Sequence, residues 1–280
     1  MKPDKNAAFG GSIPENYDRY LGPSFFEPYA NDMAARLDPA RHRRVLEIAC
    51  GTGIVTRCLR ERLASDANLV ATDLNPAMLA FAQKTPVENV TWREADATTL
   101  PFPDGSFDAV VCQFGVMFFP DKETAFRETH RVLSAGGVFL FNVWDSLEQN
   151  PAPRTAHETI HSFFDRDPPN FYETPFGFHD PDLIRRLLRA AGFEEIEISA
   201  VTLPCRNRSA AEFAIGLVRG NPVATAIEER GIKVDTVLRA VEKRSASALA
   251  WRRWKQRCRP WSAAPRADLR AERLIERALA

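Results

Sequence analysis

VLEIACGTG, residues 45–53, is an apolar run that delivers one acid, Glu47, into a turn carrying Gly51 and Gly53. Glycine reaches φ > 0 at little cost and lets a ligand approach the backbone closely. The amphipathic segment IVTRCLRERL (54–63) follows and directs its N-terminal dipole at the turn. Strand, glycine turn and helix in that order open a parallel sheet, whose ligands lie at the carboxyl ends of strands near the switch point. A Gly-x-Gly by itself also serves as a plain tight turn.

The rhythm repeats outward from there. NLVATD (68–73) reads as a second strand, and NPAMLAFAQK (75–84) as a helix opened by Asn75 as cap and Pro76 in the first turn. NVTWREAD (89–96) and FDAVVCQF (107–114) are the third and fourth strands, DKETAFRETHRVL (121–133) a helix, and GGVFLFNVW (136–144) the fifth strand. DPDLIRRLLRAAGF (180–193) is a helix with Gly192 for its C-cap, and EEIEISAVTL (194–203) a sixth strand. Residues 209–245 read as two further helices. Alternation at this spacing predicts an α/β, doubly wound, Rossmann-like sheet with helices on both faces. Pro23 and Pro28 are expected to break the helical run of residues 14–37.

Two more acids fall at strand ends. Asp73 closes the second strand, where a carboxylate accepts both hydroxyls of a ribose. Asp96 closes the third, although an acid there also caps turns. Three strands delivering carboxylates to one sheet edge favour a nucleotide-like ligand over folding economy.

Composition narrows the rest. With 45% hydrophobic and 26% charged residues, the 280-residue chain is globular rather than disordered or disulfide-stapled. Lys plus Arg and Asp plus Glu are 37 each. Residues 249–280 carry a net charge of +6, so the preceding part carries −6, which disfavours a nucleic-acid partner. No apolar run is long enough to span a bilayer. Five scattered cysteines and a start without an apolar signal core predict a reduced, cytoplasmic protein. Nothing in the sequence sets an oligomeric state.

VLEIACGTG, ATDLNPAML, EADATTLPFPDGSFDAVVCQFGVMFFPD and RVLSAGGVFLFNVW together resemble the class I S-adenosylmethionine-dependent methyltransferases, in the ubiquinone and menaquinone biosynthesis branch. The likeness runs over about residues 43–145 and more loosely to 176–193. It implies S-adenosylmethionine as cofactor and in-line methyl transfer to a small-molecule acceptor. By resemblance, Glu47 organises the glycine loop and the amino group of the methionine part. Ala49, Cys50, Gly51, Thr52 and Gly53 are the backbone cradle. Asp73 binds the ribose, with Leu74 and Met78 near the adenine. Asp96 accepts from the adenine amino group beside Ala97. Gln113 and Phe114 end the fourth strand beside the sulfonium, and Tyr17 and Tyr20 belong to an N-terminal lid. No catalytic residue stands out, because a methyl group on positive sulfur needs alignment more than activation. A nicotinamide-dependent oxidoreductase is the alternative, but its Gly-x-Gly-x-x-Gly pattern meets Thr56 at the sixth position and leaves Asp96 without a role. A member of the fold that binds cofactor without turnover is a second alternative.

Other candidates have plainer readings. His157 and His161 share a helix face but lack a third ligand, so no metal site is expected. His179 orders a turn, and His130 packs on the sheet. Cys50 fits the glycine loop by its small size. The expected organisation is lid helices over residues 1–40 and a methyltransferase domain over 41–248, with helical insertions at about 146–180 and 205–245. Residues 249–280 form a basic tail holding Trp251, Trp254 and Trp261. That tail has no alternating β-branched run, so it is expected to be poorly ordered and to leave the sixth strand as an edge.

Overall fold

Runs of apolar, β-branched residues bounded by polar turns give β1 (Arg44–Ile48), β2 (Asn68–Asp73), β3 (Val90–Glu94) and β4 (Phe107–Gln113). They are joined in parallel and followed by β5 (Leu133–Trp144), β6 (Phe193–Ile198), β7 (Val201–Pro204) and β8 (Lys255–Pro265). The computed structural model describes residues 7–205, 209–247 and 255–265. The sheet order is β3-β2-β1-β4-β5-β8-β6, with β7 also paired to β8. The order reverses between β1 and β4, so the carboxyl ends of these two strands flank the switch point.

The tail expectation is overturned. β8 lies inside the sheet, antiparallel to β5 on one side and to β6 and β7 on the other. Trp261 is 1% exposed and stacks parallel to Phe141, ring centroids 5.8 Å apart. The expected sixth strand splits into β6 and β7 around Ser199 and Ala200. Pro260 lies opposite that break. Its carbonyl accepts from the Ser199 N–H at 3.2 Å, while its own nitrogen has no hydrogen to give. Trp251 and Trp254, with residues 266–280 of the expected tail, lie outside the described residues.

Helices cover both faces. The N-terminal run comprises α1 (Ile13–Asn16), a ten-residue π-helical segment (Tyr17–Phe26) and α2 (Glu27–Ala35). The two prolines do not break it. Pro28 occupies the first turn of α2, where its missing N–H has no intrahelical acceptor. Pro23 sits within the wider i→i+5 register. The sheet-flanking helices are α3 (Ile54–Arg62), α4 (Pro76–Ala82) and α5 (Lys122–Val132). Asn75 caps α4 by accepting from the Ala77 and Met78 N–H groups, as expected. Then come α6 (Pro151–His161), α7 (Glu173–Gly177) and α8 (Pro181–Ala190). Instead of the two helices expected after residue 209 there are three: α9 (Ala210–Arg219), α10 (Val223–Glu229) and α11 (Val234–Ser247). Gly220, Asn221 and Pro222 separate the first two. α6, α9 and α11 pack on one another and on the N-terminal run, forming a cap beside the carboxyl edge of the sheet.

Candidate functional site

The switch point is built from backbone. Ala49, Gly51 and Gly53 have φ of 55°, 56° and 80°, which turns the chain sharply from β1 into α3. A Cβ on Gly51 would meet nothing within 4 Å, so the turn is open to a ligand. Gly53 instead packs tightly, and a Cβ there would stand 3.1 Å from the Trp92 ring. Asp73 holds the turn from the next strand. Its carboxylate accepts from the Gly51 N–H at 2.8 Å and from the Asn75 N–H at 2.8 Å. Burial raises its pKa, and those amide donors oppose the rise. A carboxylate offers about four acceptor sites, so two remain for hydroxyl donors.

Glu47 is 1% exposed and accepts from the Thr56 hydroxyl at 2.6 Å. Burial pushes its carboxyl up to about 8, against the pull of that hydrogen bond. Thr56 therefore has a partner in the position where a dinucleotide loop needs glycine. Cys50 is buried and its thiol is pushed up by burial, then by Glu47 and Asp73, so it is no nucleophile.

The residues expected near the adenine follow β2 and β3 in the chain. Leu74 is 57% exposed, the one large hydrophobic side chain so exposed among the described residues. Met78 is buried behind it. Asp96 is exposed, and its Oδ1 accepts from the Thr98 N–H and hydroxyl at 2.8 and 2.7 Å. Ala97 is buried beside it. Across the switch point, the Gln113 amide donates to the Phe26 carbonyl at 3.1 Å, while its Oε1 is buried without a protein partner. Thr52 Oγ1 is orphaned in the same way. An open glycine turn, acids on successive strands, an exposed leucine and orphaned polar atoms fit an adenosyl amino acid, whose ribose, base and amino group supply the missing donors.

A second compartment adjoins this edge. A cavity of about 520 Å³, counting its open mouth, is walled largely by rings, among them Phe9, Tyr17, Phe114, Phe118, Trp144 and Phe171. Two of its polar members bond to the Leu217 carbonyl. The Tyr172 hydroxyl donates to the Leu217 carbonyl at 2.6 Å, and Asn221 Nδ2 donates to the same oxygen at 2.9 Å. Tyr17 belongs to the cavity wall, stacked on Phe26 at 4.5 Å, and burial and the Asp73 charge raise its pKa. Tyr20 does not line the cavity. Its Cβ sits against Gly216 of α9, and the Arg19 guanidinium covers its ring at 5.2 Å. The N-terminal run is tied to the cofactor edge at two further points. Arg57 bridges the Thr52 carbonyl and the Asp18 carboxylate, at 3.1 Å each, and Asn75 donates to the Phe9 carbonyl at 2.9 Å.

Sequence reasoning missed Gly115, Asn142, Trp144 and Phe9. A Cβ on Gly115 would stand 2.5 Å from the Ala49 Cβ and 2.8 Å from the Cys112 sulfur, so the turns after β1 and β4 touch only because residue 115 is glycine. Asn142 was visible as the one amide in the apolar run GVFLFNVW. His130 and His179 are placed as expected. His130 packs edge-on against Phe193, and His179 holds the Phe176 carbonyl at 2.8 Å. The His157 and His161 rings lie 3.8 Å apart, tilted by 48°, and no cluster of three metal-ligating residues occurs among the described residues.

Comparison with known proteins agrees with this geometry. The methyltransferase-domain family model matches residues 46–141. Demethylmenaquinone methyltransferase from Thermus thermophilus is 36% identical over 182 residues, which are 59% of this chain and 79% of that protein. The ubiquinone/menaquinone biosynthesis C-methyltransferase of Idiomarina loihiensis is 29% identical over 58% of this chain and 70% of its own length. Among solved structures, phosphoethanolamine N-methyltransferase 2 of Haemonchus contortus with S-adenosyl-L-methionine superposes with a TM-score of 0.59. That match covers 93% of this chain and 58% of that one at 17% identity, a likeness of fold. With a relative so similar over most of its length, the chain belongs to the class I S-adenosylmethionine-dependent methyltransferases of the ubiquinone and menaquinone biosynthesis branch, and transfers methyl groups to a small-molecule acceptor.

Proposed function

We propose that the acceptor is an apolar hydroxy-aromatic ring of the hydroquinone class and that it is methylated on carbon. The observation that carries this reading is the ring-walled cavity beside Phe114, whose lining among the described residues holds no charged side chain. Such a wall recognises a flat apolar ring and sets no cationic side chain against a phosphate. The named relatives that act on quinone precursors support the same class.

The bound cofactor supplies a methyl group on positive sulfur. In the transfer, a ring carbon of the acceptor forms the new C–C bond and the methyl–sulfur bond breaks, its electron pair passing to sulfur. The ring then loses its C–H proton to water, so no protein base is required. The chain's own residues align and enclose. Asp73 takes the ribose hydroxyls, Asp96 and the Ala97 backbone the adenine edge, and Leu74 and Met78 its faces. Ala49, Cys50, Gly51, Thr52 and Gly53 give the backbone cradle, Glu47 pairs with the amino group, and Gln113 and Phe114 meet the reacting end. Tyr17 closes the cleft from the N-terminal lid, with Tyr20 supporting it from the α9 side. No helix among the described residues is long and apolar enough to cross a membrane. The five cysteines are free, which supports a reducing compartment, the cytoplasm.

The test is product analysis. The protein is incubated with S-adenosylmethionine and a chemically reduced, prenylated 1,4-naphthoquinone that is unsubstituted at the reacting carbon. Mass spectrometry should find one added methyl on ring carbon. Methyl on oxygen, or no product while a phosphorylated amine is methylated, would reject the acceptor class.

A further inference from the structure

Asn142 and Trp144 stand two residues apart on β5 and so share one face of the strand. Both grip Phe114, the first residue beyond β4. The Phe114 N–H donates to Asn142 Oδ1 at 3.0 Å and to the Asn142 carbonyl at 3.2 Å. The Phe114 ring lies flat on Trp144, with centroids 3.8 Å apart and planes within 8°. This grip holds Phe114 at φ 51°, a left-handed conformation that disfavours any residue with a Cβ. Asn142 is 2% exposed, so its amide is committed to the interior.

Gln113 ends β4 beside the switch point with its Oε1 buried and without a protein partner, and Phe114 walls the acceptor cavity. Gly115 then passes against Ala49 of the glycine turn with no room for a Cβ. That contact pins the far end of the turn, so a shift at Phe114 falls on the acceptor wall. Methyl transfer depends on alignment, and misplacement by about 1 Å can cost about a hundredfold in rate.

We propose that Asn142 is a positioning residue for methyl transfer: by taking the Phe114 N–H it fixes the turn after β4, and with it the wall that sets the acceptor against the methyl group. This rests on the reading that the cavity holds the acceptor. Without Oδ1, the Phe114 N–H keeps only its longer backbone bond. The residue then relaxes toward negative φ and its ring turns off Trp144.

The test uses the full chain labelled with 5-fluorotryptophan, the Trp144 resonance being assigned by its disappearance in Trp144→Phe. Asn142→Leu keeps the size and removes the acceptor atom, whereas Asn142→Asp keeps an oxygen in place. In Asn142→Leu the Trp144 fluorine resonance should shift and kcat with the reduced prenylated naphthoquinone should fall at least about tenfold. The Kd for S-adenosylhomocysteine should stay within about threefold, and Asn142→Asp should recover most of both losses. Should Asn142→Leu not fold, Asn142→Ser, too short to reach the Phe114 N–H, carries the same expectations. An unmoved Trp144 resonance, an unchanged kcat, or a loss of cofactor affinity equal to the loss of kcat would overturn the proposal. If the parent protein leaves this probe unmethylated, the acceptor reading fails, while the Trp144 resonance still decides whether Asn142 holds the turn.

Discussion

The two walls of the cleft are made of different material. The β1–β2 side presents main chain: a turn with three residues at positive φ, held by Asp73 through two amide hydrogen bonds. The cap side presents rings contributed by segments from Phe9 to Phe176, with the Tyr172 hydroxyl bonded to the Leu217 carbonyl. Main chain recognises groups common to every reaction of the fold, and backbone geometry changes little when side chains do. Rings recognise shape, and each can be exchanged singly. The first wall suits a shared cofactor, and the second suits an acceptor that differs from one relative to the next.

Support for both walls reaches far along the chain, and the largest effect we expect lies there. Trp261→Ala empties a fully buried site between β5 and α8 and should cost about 3–5 kcal/mol, lowering Tm by roughly 10 °C in a thermal melt. A Tm within about 2 °C of the parent would mean that β8 is no part of the cooperative core. Gly115→Ala tests the contact between the turns. Its Cβ has no space at Ala49, so overpacking should cost about 1–3 kcal/mol and weaken S-adenosylhomocysteine binding in calorimetry. Unaltered binding would show that the two turns move independently.

A third prediction separates charge from shape at Glu47. Its carboxyl is raised from 4.5 to about 8, so the folded protein holds a proton there that the unfolded chain releases. Stability from this group is present at low pH and is lost as pH rises through that interval. The Tm of Glu47→Gln should therefore gain on the parent between those two values. A difference that is flat with pH would show that Glu47 is ionised in the ligand-free protein. The smallest effect concerns the lid. Hydrogen exchange of residues 12–30 should slow when S-adenosylhomocysteine binds, because Tyr17 and the Asp18–Arg57 pair join this run to the glycine turn. Equal exchange rates would make the run a fixed part of the wall.

The same contrast explains what the sequence disclosed. NLVATD matches β2 residue for residue, and Asn75 caps α4 as expected, because strand, turn and cap signals are local. The glycine turn and its acids were legible for that reason. β8 was not, since KQRCRPWSAAP has two prolines, no β-branched residue, and a place fixed only by partners on both sides. Propensity is a weak guide where neighbours dictate the strand. The cavity was equally hidden: Phe9, Phe118 and Phe171 meet at ring distances near 6 Å, and nothing local in sequence brings them together. Gly115 looked ordinary because the nearest atom it must avoid belongs to Ala49, in the turn after β1.

One paired measurement bears most directly on the division between the walls: the calorimetric Kd for S-adenosylhomocysteine in Asp73→Ala and in Phe171→Ala. Asp73→Ala removes charge-assisted bonds worth about 1.5–3 kcal/mol each and should weaken binding at least tenfold. Phe171→Ala opens the acceptor side and should leave the cofactor Kd within about twofold of the parent. Equal losses in both, or none in Asp73→Ala, would contradict a cofactor wall built from the glycine turn and its aspartate.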